Sequence, residues 1–534
     1  MMNRLLILLG AVLMSATTLF SQGVDLELGT PYQVIDAKNK EYIGLDDGTC
    51  VMVKTHGQRV FVQTYDANGM RELERNEYED FPPYLKFEQL EMINGKISYF
   101  FSSYDKKSKT FSLYVREIDP GTGKFDKSMK LLTTDGPAIN KRFTNLFSAG
   151  QALPDDAGFF TIYPTADGSK FLAVYKRKPL NRKNSENKDL LGFYVYNSSD
   201  YSEVWGGEVT MPYFEDQMMI NTYYCMNNGE VNLLGKKMEG SFFMLNYQST
   251  SDSKEIELDI PTEFFFQEFR LAEGKDGLLQ CIGLYAAGLD FKMTWGGSSL
   301  AFNSNGVYSA VIDPVNGVQK SSEYEFPIDL VTQYLDDRQR EKLEKRDQNE
   351  GKAGIEDLKL KQFIPMADGG ALLVAEQDYI RQEMYRTSTE NIRHFESMVV
   401  MRLDAAGDIS WVRKLPKRQT VLASNPKHGC GFKAVESNGK HIILFVDNVK
   451  NKDISADELP ARHSDGAGGW LMAFIVDDAT GNWEREVITD LDDIKGTEAH
   501  QFQISRTFQV TENDFLLEMY IKGKKDNMVK FTVK

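Results

Sequence analysis

Histidine and cysteine are scarce in this chain, with six and four among 534 residues. The histidines, at 56, 394, 428, 441, 463 and 500, include no HExxH and no pair four residues apart, so a helical zinc site is not indicated. The absence of CxxC removes thiol redox motifs and zinc knuckles. No GxSxG elbow signals a serine hydrolase, and neither GxxxxGK(S/T) nor GxGxxG follows a strand and opens a helix. His463-Ser464-Asp465 are chain neighbours whose side chains diverge, whereas a catalytic triad must converge in space. Beyond the N-terminus no apolar run approaches the roughly 20 residues that span a bilayer. Positive charge is short too: 62 Lys+Arg against 78 Asp+Glu leave a net −16. That balance argues against a general binder of nucleic acid or of an anionic membrane.

What is present is core material and an address. Apolar residues make up 41%, with 33 Phe, 24 Tyr and 5 Trp, too apolar for a disordered chain. Residues 1–21 read as a secretory signal: Arg4, an apolar run over 5–14, then short residues to Ser21, with cleavage expected near Ser21-Gln22. No Cys follows the apolar run, so a lipid anchor is not expected there. The mature protein is expected to be exported without membrane insertion, to a periplasm or the cell surface. In that setting Cys50, Cys225, Cys281 and Cys430 allow three full pairings, among which the sequence does not choose; buried thiols are expected for at least two.

The informative signal is a repeat. A turn dipeptide followed by an apolar or alternating run occurs at Asp47-Gly48, Asn94-Gly95, Ala157-Gly158, Asn228-Gly229, Asp276-Gly277, Asp368-Gly369, Asn438-Gly439 and Asn513-Asp514. Such dipeptides supply the positive φ of tight hairpin turns. Downstream, a strand ends in Asp before a Gly-bearing turn, as in Asp66-Ala67-Asn68-Gly69, Asp313-Pro314-Val315-Asn316-Gly317 and Asp404-Ala405-Ala406-Gly407. The shortest intervals fit a four-stranded unit, and about eight such units predict radial repetition. The expected fold is therefore all-β: a single β-propeller domain over 22–534, of eight blades with seven as the runner-up. Two unrelated β-sandwiches are the alternative. A strand within 24–35 is expected to complete the last unit and close the ring.

Three stretches break the rhythm: a basic loop at 175–189, a helical insertion near 329–350 extending to about 360, and a hairpin arm spanning 378–394. In the helical stretch Leu330, Val331, Tyr334 and Leu335 share a side, while 336–349 is almost wholly polar, so only its first turn is expected to pack. In the arm, Tyr379, Arg381, Glu383 and Tyr385 alternate onto one face, opposite Ile380, Gln382 and Met384. Tyr and Arg favour binding surfaces, which makes those four residues the candidate binding site.

Asp368-Gly369-Gly370-Ala371-Leu372-Leu373-Val374-Ala375-Glu376-Gln377, the tyrosine-bearing hairpin, Asp408-Ile409-Ser410-Trp411 and Leu415-Pro416-Lys417-Arg418-Gln419 resemble a group of uncharacterised secreted bacterial β-propeller-like proteins. The resemblance spans about 368–419 and implies no activity or functional residue.

No catalytic set and no metal site emerge. His441, inside an apolar run, is expected to sit in a strand with its ring hydrogen-bonded, and His428 near Cys430 lacks further ligands. Asp490-Leu491-Asp492-Asp493 and Asp477-Asp478 could supply oxygen to Ca²⁺ but do not fit the twelve-residue calcium loop, and Asp-rich turns more often cap backbone N–H groups. No cofactor is predicted. The reading is a monomeric, non-enzymatic binding or scaffold propeller that presents loops to a protein or glycan of the cell envelope. The alternative is a glycan-active hydrolase or lyase working in the central funnel.

Overall fold

Alternation with both faces apolar builds this chain. In Thr49-Cys50-Val51-Met52-Val53, successive side chains point to opposite sides of a strand. Cys50 and Met52 enter one hydrophobic cluster, while Val51 and Val53 enter another. Such a strand is buried on both sides, which is why its apolar run is continuous.

The computed structural model describes residues 24–140, 158–179, 181, 183–294, 297–351, 353–385, 388–425, 429–464, 468–501 and 503–533. The expected signal segment lies outside the described residues. Among those described, the fold is all-β, and eight sheets of four or more strands follow one another. We number them I (39–78), II (86–133), III (161–214), IV (218–258), V (265–325), VI (358–422), VII (432–490) and VIII (499–533). A smaller three-stranded sheet joins Leu289–Thr294, Gly297–Ser304 and Ile355–Glu356.

Among the described residues, eight of the nine clusters of buried side chains lie between neighbouring sheets, and the ninth, of Phe395, Val421 and Cys430, lies at the arm of sheet VI. Val62 of sheet I shares a cluster with Phe101 of II, and Phe100 of II with Phe171 of III. Phe193 of III shares one with Leu233 of IV, and Phe242 of IV with Ile312 of V. Val307 of V is clustered with Val399 of VI, Val400 of VI with Phe474 of VII, and Leu471 of VII with Phe515 of VIII. Finally Met528 of VIII shares a cluster with Met52 of I. Each buried Val, Leu, Phe or Met contributes about 1.5–3 kcal/mol.

The N-terminal strand Val24–Leu28 pairs antiparallel with Lys525–Val533, from Val24↔Val533 to Leu28↔Val529. It thus serves as the fourth strand of sheet VIII, as the pattern predicts. Seven of the eight dipeptides fall at the connection between two strands as expected, and six of these carry positive φ, Asn513-Asp514 being the one that does not. Asn94 and Gly95 both have positive φ (49° and 73°), as do Asn438 and Gly439 (51° and 68°).

The eighth dipeptide is a correction. Ala157 lies outside the described residues, and the hairpin turn of sheet III is at Asp167-Gly168 (φ 66°). Gly158 answers a different need: a Cβ there would fall 1.9 Å from Glu88 Oε2. The same carboxylate accepts from Phe159 N–H and Phe160 N–H at 2.8 and 2.9 Å. The basic loop is shorter than expected, because Lys170–Lys176 and Lys188–Asn197 are strands. The helical insertion divides into α1 (Ile328–Thr332) and α2 (Asp337–Glu350), and strand resumes at Ile355. As expected, Val331 and Tyr334 are buried while α2 has no buried residue.

Candidate functional site

In an antiparallel succession, the first-to-second and third-to-fourth connections leave one end of a sheet. The second-to-third connections, and those to the next sheet, leave the other. At the first end every connection between described strands is five residues or fewer. At the second end lie the loop 177–187, the hairpin 289–304, both helices and the segment 448–469. The arm projects from there too: its strands Ala371–Tyr385 and Ser388–Leu403 extend the second and third strands of sheet VI. Its strands pair as far as Tyr385↔Ser388, so the second arm strand begins earlier than the Thr387–Asn391 stretch between strands that the sequence pattern suggests.

The base of the arm is held by buried ions. Asp378, 1% exposed, accepts from Arg393 Nε (2.8 Å) and Nη2 (2.6 Å) and from Lys361 Nζ (2.6 Å). Burial alone would raise its pKa, but Arg393 and the lysines Lys361 and Lys359 outweigh it and hold the carboxyl at about 2. Glu376 and Lys417, both almost fully buried, pair at 2.7 Å. Strand Gln419–Leu422 adds to the outer side of the second arm strand, and His463–Ser464 runs parallel beside it. Asp465 lies outside the described residues, as does His428.

The candidate binding residues fall as follows. Tyr379 is cross-strand partner to His394 and stacks on it, with ring centroids 4.7 Å apart and planes at 12°. The Arg381 guanidinium lies 4.5 Å over the Tyr379 ring and meets Glu356 at 2.5 Å. Glu383 sits 3.0 Å from His394 Nε2 and 3.8 Å from Arg462. Tyr385 ends the strand, and its side chain lies outside the described residues. The opposite face carries the open apolar surface, with Ile380 57% and Met384 75% exposed. His394 was not singled out from sequence. A two-residue turn assignment would have set the register that pairs it with Tyr379.

A second set of groups lies on the first strand of each sheet, and the first strands of sheets I to VI lie side by side in succession. Gln89 clasps the backbone of Ile162 from sheet II to III, donating at 2.8 Å and accepting at 3.0 Å. On these strands Glu41 is pushed up to about 7 by burial and by the nearby Glu91 charge, against the opposing Lys433. Glu91 is itself raised by burial, and Lys433 is lowered by it. Near the other end of this set Glu268 is raised by burial, offset by Arg270.

Other sequence candidates are occupied structurally. His441 Nε2 lies 2.7 Å from Asp478 Oδ1, as its strand position predicts, and Arg402 holds the same carboxylate. Asp477 accepts from Thr480 N–H, Asp490 from Asp492 N–H, and Asp493 from Gly496 N–H. Among the described residues no group of three His, Cys, Asp or Glu is arranged to hold a metal ion. Cys50, Cys225 and Cys281 are buried free thiols, and Cys430 is buried beside Phe395 and Val421. No helix among the described residues is long and apolar enough to cross a membrane.

No protein-family profile matches this chain, and no curated protein does. Solved structures align loosely. The uncharacterised protein lmo1340 of Listeria monocytogenes EGD-e is 9% identical over 83% of this chain and 95% of its own, with a TM-score of 0.36. The WD40 domain of SCAP from fission yeast is 6% identical over 96% and 95%, TM-score 0.36. The uncomplexed acylaminoacyl peptidase of Pyrococcus horikoshii is 12% identical over 93% and 58%, TM-score 0.34. Likeness at this level carries no argument about activity.

Proposed function

We propose that this protein is an exported eight-bladed β-propeller that binds a protein or glycan partner of the cell envelope with the end bearing its long connections. The ring reading is supported by the clusters that link each sheet to the next and sheet VIII to sheet I. The donated strand Val24–Leu28 supports closure, and a cluster shared by each pair of consecutive sheets argues against two separate sandwiches. The observation that carries the binding role is the asymmetry of the two ends. Long connections and exposed apolar side chains such as Ile380, Met384 and Val449 gather at one end, against short turns at the other. The test is capture from envelope extracts and on a glycan array. One variant replaces 379–394 by a two-residue turn, one shortens 449–462, and a control alters the turn at Asn316-Gly317. Loss of a partner with either of the first two, but not the control, is expected; partners unchanged in all three would overturn the reading.

The Glu41–Glu91 pair favours a second reading, a glycan hydrolase or lyase in the funnel. A carboxyl held near neutrality beside another is the acid–base arrangement such chemistry uses. Cleavage of envelope glycans that disappears in Glu41→Gln and Glu91→Gln would favour it; full retention in both would remove it.

A further inference from the structure

The outer edge of the arm is an unpaired strand whose sequence is complementary to itself. The strand Leu358–Pro365 pairs with the first arm strand only as far as Gln377, and among the described residues no strand covers the edge beyond. Backbone polarity along that edge follows from two hydrogen bonds. Asn391 O accepts from Ala423 N–H (2.8 Å), so Asn391 turns its polar groups away from the first arm strand. Its cross-strand neighbour is Gln382, which therefore turns its N–H and C=O outward. Asp378 N–H donates outward to Asp357 O (3.1 Å), which fixes the same parity. Ile380, Gln382 and Met384 thus present their donors and acceptors to solvent, on a segment without proline.

We propose that a second copy of this chain occupies this edge, pairing antiparallel about a two-fold axis through Gln382. The register makes every pair complementary. Gln382 meets the partner's Gln382, Ile380 meets the partner's Met384, Arg381 meets the partner's Glu383, and Tyr379 falls opposite the partner's Tyr385. The residues with outward backbone groups are those that would form the hydrogen-bonded pairs, each exchanging two bonds. Ile380 and Met384, 57% and 75% exposed, would cover each other, and Arg381, 45% exposed, has a free side for a second carboxylate. The contact is isologous and closes at two copies. This inference does not depend on the envelope partner proposed above, and it replaces the expected monomer with a dimer.

The experiment is sedimentation equilibrium of the full chain over the micromolar range, with charge variants. Wild type is expected at twice the monomer mass. Arg381→Glu places Glu opposite Glu, and Glu383→Arg places Arg opposite Arg, so each alone is expected at monomer mass. An equimolar mixture restores opposite charges at both pairs and is expected to return to dimer mass. Thermal melts of each variant check that folding is kept. Independently, Gln382→Cys sets two thiols on the axis with Cα atoms about 5.5 Å apart, within disulfide reach. Mild oxidation is expected to cross-link it, and Glu74→Cys on sheet I is expected to stay uncross-linked. Wild type at monomer mass, single variants that remain dimeric, or Gln382→Cys linking no faster than Glu74→Cys would each overturn the proposal.

Discussion

Lys54 and Glu518 bond to each other with both side chains at zero exposure, from the second strand of sheet I to the second strand of sheet VIII. Around them Tyr32 and Tyr42 donate to Glu518 at 2.8 and 2.7 Å, Lys40 at 3.1 Å, and Asp526 lies 3.5 Å from Lys54. Burial would raise the Glu518 pKa, but Lys54 and Lys40 outweigh it and hold the carboxyl well below its ordinary range. Asp526 is raised by burial and by the Glu518 charge. Two sheets far apart in the chain are thus joined by a charge cluster as well as by a donated strand.

Removing one partner leaves the other charged and buried. Lys54→Met is expected to cost about 3–5 kcal/mol, read as a shift in denaturant midpoint. Lys54→Met/Glu518→Gln is expected to cost less than the sum of the two single changes, because the stranded charge is gone. Additive costs would mean the pair is not coupled.

Asp378 is held at about 2, below its ordinary 3.8, so it adds stability at neutral pH. That contribution is present above 3.8 and is lost as pH falls towards 2. Asp378→Asn is expected to lose about 2 kcal/mol at pH 7. The difference from wild type should vanish in strong acid, as measured by unfolding across pH.

Glu41 shows the opposite sign. Its folded value near 7 against 4.5 means the native state binds the extra proton, so stability falls as pH rises from 4.5 through 7. Glu41→Gln is expected to be more stable than wild type at pH 8, by about 3 kcal/mol at most, and equal to it near pH 4. A flat difference across that range would contradict the assignment.

Lys414 ties the helical insertion to sheet VI. Its buried ammonium donates to Val331 O and Gln333 O, both at 2.9 Å, at the C-terminal end of α1. Burial lowers it to about 7, so wild-type stability relative to Lys414→Met should rise between pH 7 and 10. The same variant is expected to speed amide exchange over residues 328–335 while sheet II is unaffected.

Gly158→Ala pushes a methyl onto the Glu88 carboxylate and is expected to cost about 1–3 kcal/mol. Glu88→Gln/Gly158→Ala should not recover it, because Ser102 Oγ and two backbone N–H groups also need that side chain.

The arm shows what was legible and what was not. The hairpin pattern over 371–385 gives a strand, and alternation over 379–385 divides its residues between two faces. The sequence does not say which face is open. Tyr379, Arg381 and Glu383 are engaged by His394, Glu356 and Arg462, of which Glu356 and Arg462 come from outside the arm. His441 is similar: its strand was readable, whereas its partner Asp478 follows from a neighbouring strand of sheet VII.

By itself the sequence determined the all-β class, the unit of four strands, seven of eight turn positions, the arm and the role of the N-terminal strand. These follow from short-range causes: period-two alternation and the positive φ that Asn-Gly and Asp-Gly accept. Only the tertiary structure decided that Lys54 meets Glu518, that Gly158 exists to admit Glu88, and that Glu41 sits beside Glu91. Each depends on strands from different sheets being brought together, and a buried charge is shaped by everything packed around it. Scarce cysteine and histidine excluded some chemistries at the outset. The ions that matter here are lysines and carboxylates, too numerous in the sequence to be told apart until the fold selects among them.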